Sequence, residues 1–191
     1  MTPTLRLATP EDGAATAAIY APIVRETTIS FEADPPDAAE MARRIGATLP
    51  AHPWIVAEGA SGVLGYAYAG PHRKRAAYAW AVEPSVYVAA GARTRGVGRR
   101  LYGALLALLR AQGFAMAYAG VTLPNAPSLA LHRACGFEDV GVYPAAGFKH
   151  GAWHAVWWGA LRLGPLAEAP ALPRALDALP PEAARAALGG A

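Results

Sequence analysis

The segment from Val86 to Gln112 constrains the fold of this chain more than any other. It contains the β-branched and aromatic run Val86-Tyr87-Val88, then a loop with Arg93-x-x-Gly96-x-Gly98, and then an apolar stripe at helical spacing. A strand, a glycine-bearing loop and a helix leave unpaired backbone N–H groups at the helix N-terminus, where the helix dipole favours an anion. The segment therefore predicts a phosphate-binding turn surrounded by arginine side chains.

Two other phosphate-binding motifs do not match this loop. A P-loop ends in Gly-Lys-Ser/Thr, and no such triplet follows Gly98. A dinucleotide-binding fingerprint begins with glycine, whereas Arg93 holds that position here, in the middle of the chain. On these residues alone, a plain connection whose arginines only solvate a surface remains the alternative interpretation.

Hydrophobic periodicity predicts a mixed α/β domain around this segment. Strands are predicted near 4–8, 54–58, 63–69, 78–88, 115–123, 137–143 and 154–163, and helices near 10–24, 36–49, 97–112 and 127–135. Pro84 predicts a break or a bulge in the strand over 78–88. From Gly164 the composition shifts to Ala, Pro and Leu, so we expect a domain over 1–163 and an Ala/Pro-rich tail over 164–191.

Composition narrows the class of protein further. The chain is 54% hydrophobic and 16% charged, which excludes a disordered protein. Charged residues, glycine or proline interrupt every apolar run before about 18 residues, so no membrane span is expected. The single cysteine, Cys135, excludes an internal disulfide framework and makes a cytoplasmic location the simplest prediction. A net charge of +3 is too small to indicate a nucleic-acid partner.

A second group of motifs lies downstream, with Asn125-x-x-Ser128, His132 and Gly136-Phe137. Together with the loop at 93–98, these residues resemble the GNAT acyltransferase superfamily, whose members use acetyl-coenzyme A. Blocks such as Glu83-x-Ser85-Val86-Tyr87-Val88 and Gly147-Phe148-Lys149-His150-Gly151 further resemble the phosphinothricin N-acetyltransferase family. The resemblance covers about residues 4 to 163 and implies a GNAT fold. That fold is a mixed, mostly antiparallel sheet, splayed at the cofactor strand and flanked by helices.

The resemblance implies direct transfer of an acetyl group from acetyl-CoA to an amine. An amino-acid amine is mostly protonated at neutral pH, so a base must act, and Glu83 is the implied base. The backbone N–H of Val88 is expected to polarise the thioester carbonyl, and His132 to act as an acid or to bind the thiolate. Cofactor contacts are implied for Val86, Tyr87, Val88, Arg93, Thr94, Arg95, Gly96, Val97, Gly98, Arg99, Asn125 and Ser128.

Candidate substrate contacts are Phe31, Arg75 and Tyr78. Arginine can hold a carboxylate or a phosphinate bidentately, and the resemblance implies a pocket wall at Phe31. The implied acceptor is a small anionic amino acid such as phosphinothricin, with methionine sulfoximine, methionine sulfone or another small amine as alternatives. Ala79 and Ala155 replace polar residues that are usual in the family, and both departures bear on the acceptor.

The remaining expectations concern metals and partners. His150 and His154 are four residues apart, but nearby glycines argue against a helix and no third ligand is evident, so no metal is predicted. Trp153, Trp157 and Trp158 predict sheet core or a dimer surface, and the resemblance implies a homodimer. The expected partner is a small-molecule substrate, with no nucleic acid and no membrane. A regulator that binds coenzyme A without turnover is the alternative from a different class.

Overall fold

The computed structural model describes residues 2–189, which form one seven-stranded sheet with helices packed on it. The strands are β1 (Thr4–Leu7), β2 (Trp54–Gly59), β3 (Gly62–Pro71), β4 (Ala81–Val88), β5 (Met116–Thr122), β6 (Glu138–Lys149) and β7 (Ala152–Arg162). The helices are α1 (Gly13–Glu26), α2 (Ala38–Thr48), α3 (Val97–Gln112), α4 (Ala126–Ala134) and α5 (Pro181–Leu188). The strand order is β1-β2-β3-β4-β5-β7-β6, with β4 and β5 parallel and the other neighbours antiparallel. The predicted mixed, mostly antiparallel sheet is confirmed.

Local hydrogen bonds account for several helix boundaries. Asp37 caps α2, because its Oδ1 accepts a hydrogen bond from the backbone N–H of Glu40 at 2.8 Å. Pro10 lies in a short 3-10 turn ahead of α1, where the backbone N–H of Thr9 donates to Asp12 Oδ2 at 2.8 Å. The helix starts predicted near residues 10 and 36 therefore lie within a few residues of the observed ones.

The strand over 78–88 differs from its prediction. A 3-10 turn covers Ala76–Tyr78, and β4 then continues without a break through Pro84. The carbonyl of Ala81 and the N–H of Ala89 both hydrogen-bond toward β3, so backbone groups at odd-numbered positions face β3. Those at even-numbered positions of β4 face β5 instead. Because β4 and β5 have already separated at Pro84, a residue without an N–H fits there without breaking the strand.

The last hairpin is longer than predicted. β6 extends to Lys149, well beyond the predicted end at residue 143, and β7 begins at Ala152. The pairing register shifts between Tyr143 and Gly147, where extra residues on β6 bulge out of the ladder. This irregularity interrupts the alternation that marks a strand in the sequence, which is why the extension was not predicted.

Two hydrophobic clusters cover opposite faces of the sheet. Side chains alternate between faces along a strand, so Ile55 and Ala67 face α3, whereas Trp54 and Tyr66 face α1 and α2. The first face, with α3, forms the larger cluster. On the second face, α1 and α2 cover one half of the sheet, and the side chains of the candidate site lie on the other half.

The C-terminal segment packs on the larger cluster. Leu176 and Leu179 are buried in it, and α5 packs against α3. Gln112 Nε2 donates to the carbonyl of Arg174 at 2.9 Å, which ties this segment to the end of α3. Residues 1, 190 and 191 lie outside the described part of the chain, and the division at 163 stays a prediction. No helix within residues 2–189 is long and apolar enough to cross a membrane.

Candidate active site

The sheet opens between β4 and β5. These strands pair only at Ala81 with Met116 and at Val82 with Ala117, and beyond those pairs they diverge. Since even positions of β4 face β5, the backbone N–H of Val88 points into the opening. The predicted splay of the sheet is confirmed, and it exposes unpaired backbone groups at the centre of the molecule.

A cavity of about 520 Å³ lies between the end of β4, the N-terminus of α3 and α4. Gly96 is the N-cap of α3, with φ of 78°, a left-handed conformation that favours glycine, and among residues 2–189 no side chain caps the helix. The first turn of α3 contains no acidic residue, so its free N–H groups and the helix dipole suit a pyrophosphate. Arg93 Nε donates to the carbonyl of Val88 at 3.3 Å and joins the loop to β4. Apart from Arg95, all predicted cofactor contacts line this cavity: Val86, Tyr87, Val88, Arg93, Thr94, Gly96, Val97, Gly98, Arg99, Asn125 and Ser128.

Arg95 lies elsewhere. It lines a separate surface depression with Pro3 and Ser61, on the other side of the loop that contains Gly96. The loop thus directs Arg95 to a different surface from Arg93 and Arg99, which the sequence had grouped together.

α4 forms one wall of the cavity through Ser128 and Leu131, whereas His132 lines a smaller pocket next to it. Asn125 caps this helix, since its Oδ1 accepts from the backbone N–H of Ser128 at 3.2 Å. His132 Nδ1 lies 2.7 Å from the carbonyl oxygen of Ser128, and because a carbonyl only accepts, Nδ1 carries the hydrogen. Burial lowers the pKa of His132, which packs against the rings of Tyr102 and Phe137. A neutral His132 therefore presents only the lone pair of Nε2.

Glu83 lies on β4 at the open face of the sheet, with one carboxylate oxygen held and the other free. His72 Nδ1 lies 2.7 Å from Glu83 Oε1, and Arg73 Nη1 donates to the same oxygen at 3.1 Å. Within residues 2–189, Glu83 Oε2 has no hydrogen-bond partner. The side chain of Glu83 is 35% exposed, so a small molecule can reach that free oxygen.

Aromatic rings surround the histidine beside Glu83. The imidazole of His72 stacks on Tyr118 with ring centroids 4.5 Å apart, and the rings of Tyr78 and Trp158 approach it edge-on. The guanidinium of Arg73 lies 5.8 Å from the centroid of the Trp158 ring. Nothing in the sequence singled out His72 or Tyr118, because their proximity to Glu83 depends on strand register and on the position of β5.

Phe31 lies at the edge of the same face, on the connection between α1 and α2. Its ring is 41% exposed and lies 6.4 Å from the ring of His154, which shares a face of β7 with Trp158. Lys149 Nζ donates to the carbonyl oxygens of Val24 at 2.6 Å and of Ser30 at 2.7 Å. These bonds hold the connection against β6.

Of the three predicted substrate contacts, Arg75 and Tyr78 lie together, whereas Phe31 lies apart from them. Arg75 and Tyr78 line a cavity of about 530 Å³ between the β3–β4 connection and the C-terminal segment. Tyr78 also approaches His72, whereas Arg73 rather than Arg75 bonds to Glu83. Ala79 lines this second cavity too.

The other predicted side chains have distinct positions. Trp158 is partly buried near His72. Ala155 lies on the opposite face of β7. Trp157 is buried in the core, and Trp153 is 66% exposed. Among residues 2–189 no group of three or more His, Cys, Asp or Glu side chains could hold a metal ion. His154 Nε2 instead hydrogen-bonds the carbonyl of Lys149 at 2.9 Å.

Comparison with known proteins agrees with this geometry. Residues 5–158 match the family model of the acetyltransferase (GNAT) domain. The chain is a GNAT acetyltransferase, an enzyme that takes its acetyl group from acetyl-CoA. A phosphinothricin N-acetyltransferase from Streptomyces viridochromogenes is 41% identical over 152 residues, which cover 80% of this chain and 83% of that protein. Within the GNAT class, the chain belongs to the phosphinothricin N-acetyltransferase family.

Two further similarities support this assignment. An L-methionine sulfoximine/L-methionine sulfone acetyltransferase from Pseudomonas paraeruginosa is 38% identical over 155 residues, covering 80% of this chain and 90% of that protein. The crystal structure of a phosphinothricin acetyltransferase from Sinorhizobium meliloti in complex with AcCoA superposes with a TM-score of 0.85 at 37% identity, covering 95% of this chain and 97% of that one. The predicted family, GNAT fold and use of acetyl-CoA are confirmed.

Proposed function

We propose that this enzyme acetylates the amino group of a small anionic amino acid by direct transfer, with Glu83 as the general base. The observation that carries the proposal is the asymmetric environment of Glu83. Its Oε1 is held by His72 and Arg73, while Oε2, at the open face of the sheet, has no partner in the described part of the chain. A protonated amine must lose a proton before it can attack a thioester, and a free carboxylate oxygen is suited to take it.

The chemistry follows from the groups around the opening. Acetyl-CoA, seated along the N-terminus of α3, supplies the acetyl group at its thioester. Glu83 Oε2 takes a proton from the ammonium group, either directly or through one water molecule. As the amine nitrogen bonds to the carbonyl carbon, the Val88 N–H donates to the carbonyl oxygen and stabilises its developing charge. The carbon–sulfur bond then breaks, and the second proton that the nitrogen loses as it becomes an amide is taken up by the thiolate, so that coenzyme A leaves as a thiol.

The state of His132 limits its part in that last step. With its hydrogen on Nδ1, neutral His132 has no hydrogen at Nε2 to donate to a thiolate. It can serve as an acid only as the imidazolium, which burial disfavours. We therefore propose that His132 chiefly maintains the cavity wall through Ser128.

Direct transfer is supported by the state of Cys135. Burial raises the pKa of its thiol, so little of it is in the nucleophilic thiolate form at neutral pH. Cys135 packs against the hydrophobic core at the end of α4 and is not among the residues that line the cofactor cavity. An acetyl-cysteine intermediate is therefore disfavoured.

The proposed acceptor rests on the relatives and on local charge. Relatives are named for phosphinothricin and for L-methionine sulfoximine and sulfone. Arg73 lies within 3.1 Å of Glu83, and Lys74 and Arg75 follow it, so a negatively charged group finds positive charge near the base.

The test is release of free thiol from acetyl-CoA with a panel of amines. The panel contains phosphinothricin, methionine sulfoximine, methionine sulfone, glutamate, an aminoglycoside and a peptide amine. We expect turnover with the first three amines. Turnover only with the aminoglycoside or the peptide would overturn the proposed acceptor, and no turnover with any amine would favour a regulator that binds coenzyme A.

We also propose that the enzyme is a homodimer that associates through β6. This strand is an edge of the sheet, and an apolar edge strand favours pairing with another chain. Light scattering should give twice the mass of one chain for the unmodified protein. For the Val142→Lys variant it should give the mass of a single chain. A monomer in the unmodified protein would contradict the proposal. The large exposed apolar side chains of β6 are Val140, Val142, Tyr143 and Phe148, and Trp153 lies beside Phe148 at the start of β7.

A further inference from the structure

We propose that His72 is a positioning residue for catalysis, which orients the Glu83 carboxylate so that its Oε2 faces the acceptor amine. The inference rests on the proposed role of Glu83 as the base. A half-exposed glutamate has several accessible rotamers, and few of them direct a given oxygen toward a substrate. His72 is the group in this site that restricts them.

The hydrogen bond between the two residues is short and shielded. His72 Nδ1 lies 2.7 Å from Glu83 Oε1, and because an ionised carboxylate only accepts, Nδ1 donates. The side chain of His72 is only 12% exposed, so water competes poorly for this bond. Arg73 bonds to the same oxygen at 3.1 Å, but its side chain is 46% exposed and therefore less restrained.

The imidazole is itself held from several directions. Tyr118 stacks on it with centroids 4.5 Å apart, while Tyr78 and Trp158 approach edge-on at 5.8 Å and 6.0 Å. These rings come from the β3–β4 connection, β5 and β7, so rotation of the imidazole would disturb three parts of the fold. The packing of these rings therefore fixes the position of His72, and the hydrogen bond from His72 restricts the rotamers of the Glu83 carboxylate.

Two substitutions at this position separate hydrogen bonding from packing. His72→Phe keeps an aromatic ring against Tyr118 but removes the donor, whereas His72→Asn places an N–H donor close to the position of Nδ1. We expect His72→Phe to lower kcat about 10- to 100-fold, the cost of a misplaced catalytic group, with an unchanged KM for acetyl-CoA. His72→Asn should recover most of that loss. Equal losses in the two variants, or a loss confined to the KM for acetyl-CoA, would overturn the proposal.

The same substitution in a Glu83→Gln background shows whether His72 acts through Glu83. We expect His72→Phe to cost little further rate once Glu83 is replaced. A full additional loss in that background would overturn the positioning role. A Glu83→Gln variant with the wild-type rate would instead refute the proposed base, so the two failures are distinguishable. As a control, His150→Asn replaces an exposed histidine in the turn between β6 and β7, where asparagine tolerates the positive φ of 50°, and should keep its kcat.

Discussion

Phe31 packs directly over Gly147, and the contact leaves no space for a side chain on the strand. A Cβ at Gly147 would lie 2.7 Å from the Cζ atom of the Phe31 ring. Lys149 reinforces the contact by bonding to the carbonyl of Ser30, one residue before the ring. The α1–α2 connection is thereby held at the edge of the face on which Glu83 lies, where Phe31 is the expected wall of the acceptor pocket.

Gly147→Val is expected to displace Phe31 and to raise the KM for the acceptor about tenfold, because overpacking shifts neighbours rather than compressing them. The KM for acetyl-CoA should change less, since neither Phe31 nor Gly147 lines its cavity. Steady-state kinetics with each substrate varied in turn measures both constants. Gly141→Ala is the control on the same strand, where a Cβ meets no atom within 4 Å. Equal behaviour of the two variants would show that Phe31 does not shape the acceptor pocket.

Glu83→Gln is expected to lower kcat by about 10²- to 10⁴-fold, the usual contribution of a general base. The amide keeps the size of the side chain but cannot take a proton at neutral pH. Calorimetric titration should show acetyl-CoA affinity within about twofold of the unmodified protein, since Glu83 does not line the cofactor cavity. Glu138→Gln, an exposed position on β6, serves as the charge-matched control. A rate near that of the control would rule out Glu83 as the base.

Cys135→Ala is expected to retain most of the activity, because the half-buried thiol takes no part in direct transfer. Mass spectrometry of the unmodified enzyme mixed with acetyl-CoA alone should detect no acetyl group on Cys135. An acetylated Cys135 that disappears when the acceptor is added would support a covalent intermediate instead.

Acidification from pH 7 to pH 5 is expected to lower the free energy of unfolding. Burial lowers the pKa of both His132 and His52 in the folded state, so the unfolded chain binds more protons below about pH 6.5. The stability that these neutral histidines contribute is present above that pH and is lost as the pH falls. The lowered pKa of Asp12, held by Arg6, acts only at lower pH, below the ordinary range of an aspartate.

The measurement for that prediction is Tm as a function of pH for the unmodified protein and for His132→Asn. Asparagine can still donate to the Ser128 carbonyl but does not titrate, so its Tm should fall less between pH 7 and pH 5. An identical fall in both proteins would assign the pH dependence to other groups.

Leu176→Ala is expected to destabilise the protein by about 2–5 kcal/mol, the range for removal of a buried leucine side chain. Leu172→Ala is the control in the same segment, where the leucine is 69% exposed, and it should change stability by less than about 0.5 kcal/mol. Denaturant unfolding compares the two variants. Equal stabilities would show that the C-terminal segment contributes little to the domain core.

Much of the fold follows from local patterns in the sequence. The apolar stripe of Val97, Leu101, Leu105 and Leu108 predicts α3, and all four side chains are buried. Pro84 gave the wrong prediction because its effect depends on which neighbour strand its backbone faces, and that neighbour is distant in sequence. The extension of β6 was missed because the bulge before Gly147 breaks the alternation of a strand.

The sequence by itself indicated the cofactor turn, because a strand, an arginine–glycine loop and a helix N-terminus are contiguous in the chain, and the resemblance of its wider motifs gave the class of protein. Its motifs also pointed to Glu83. Only the tertiary structure decided which groups surround that carboxylate, since His72 and Tyr118 reach it through strand pairing and through β5, far along the chain. Short-range geometry is encoded in neighbouring residues, whereas contacts across a sheet depend on register and order of strands, which no short segment specifies.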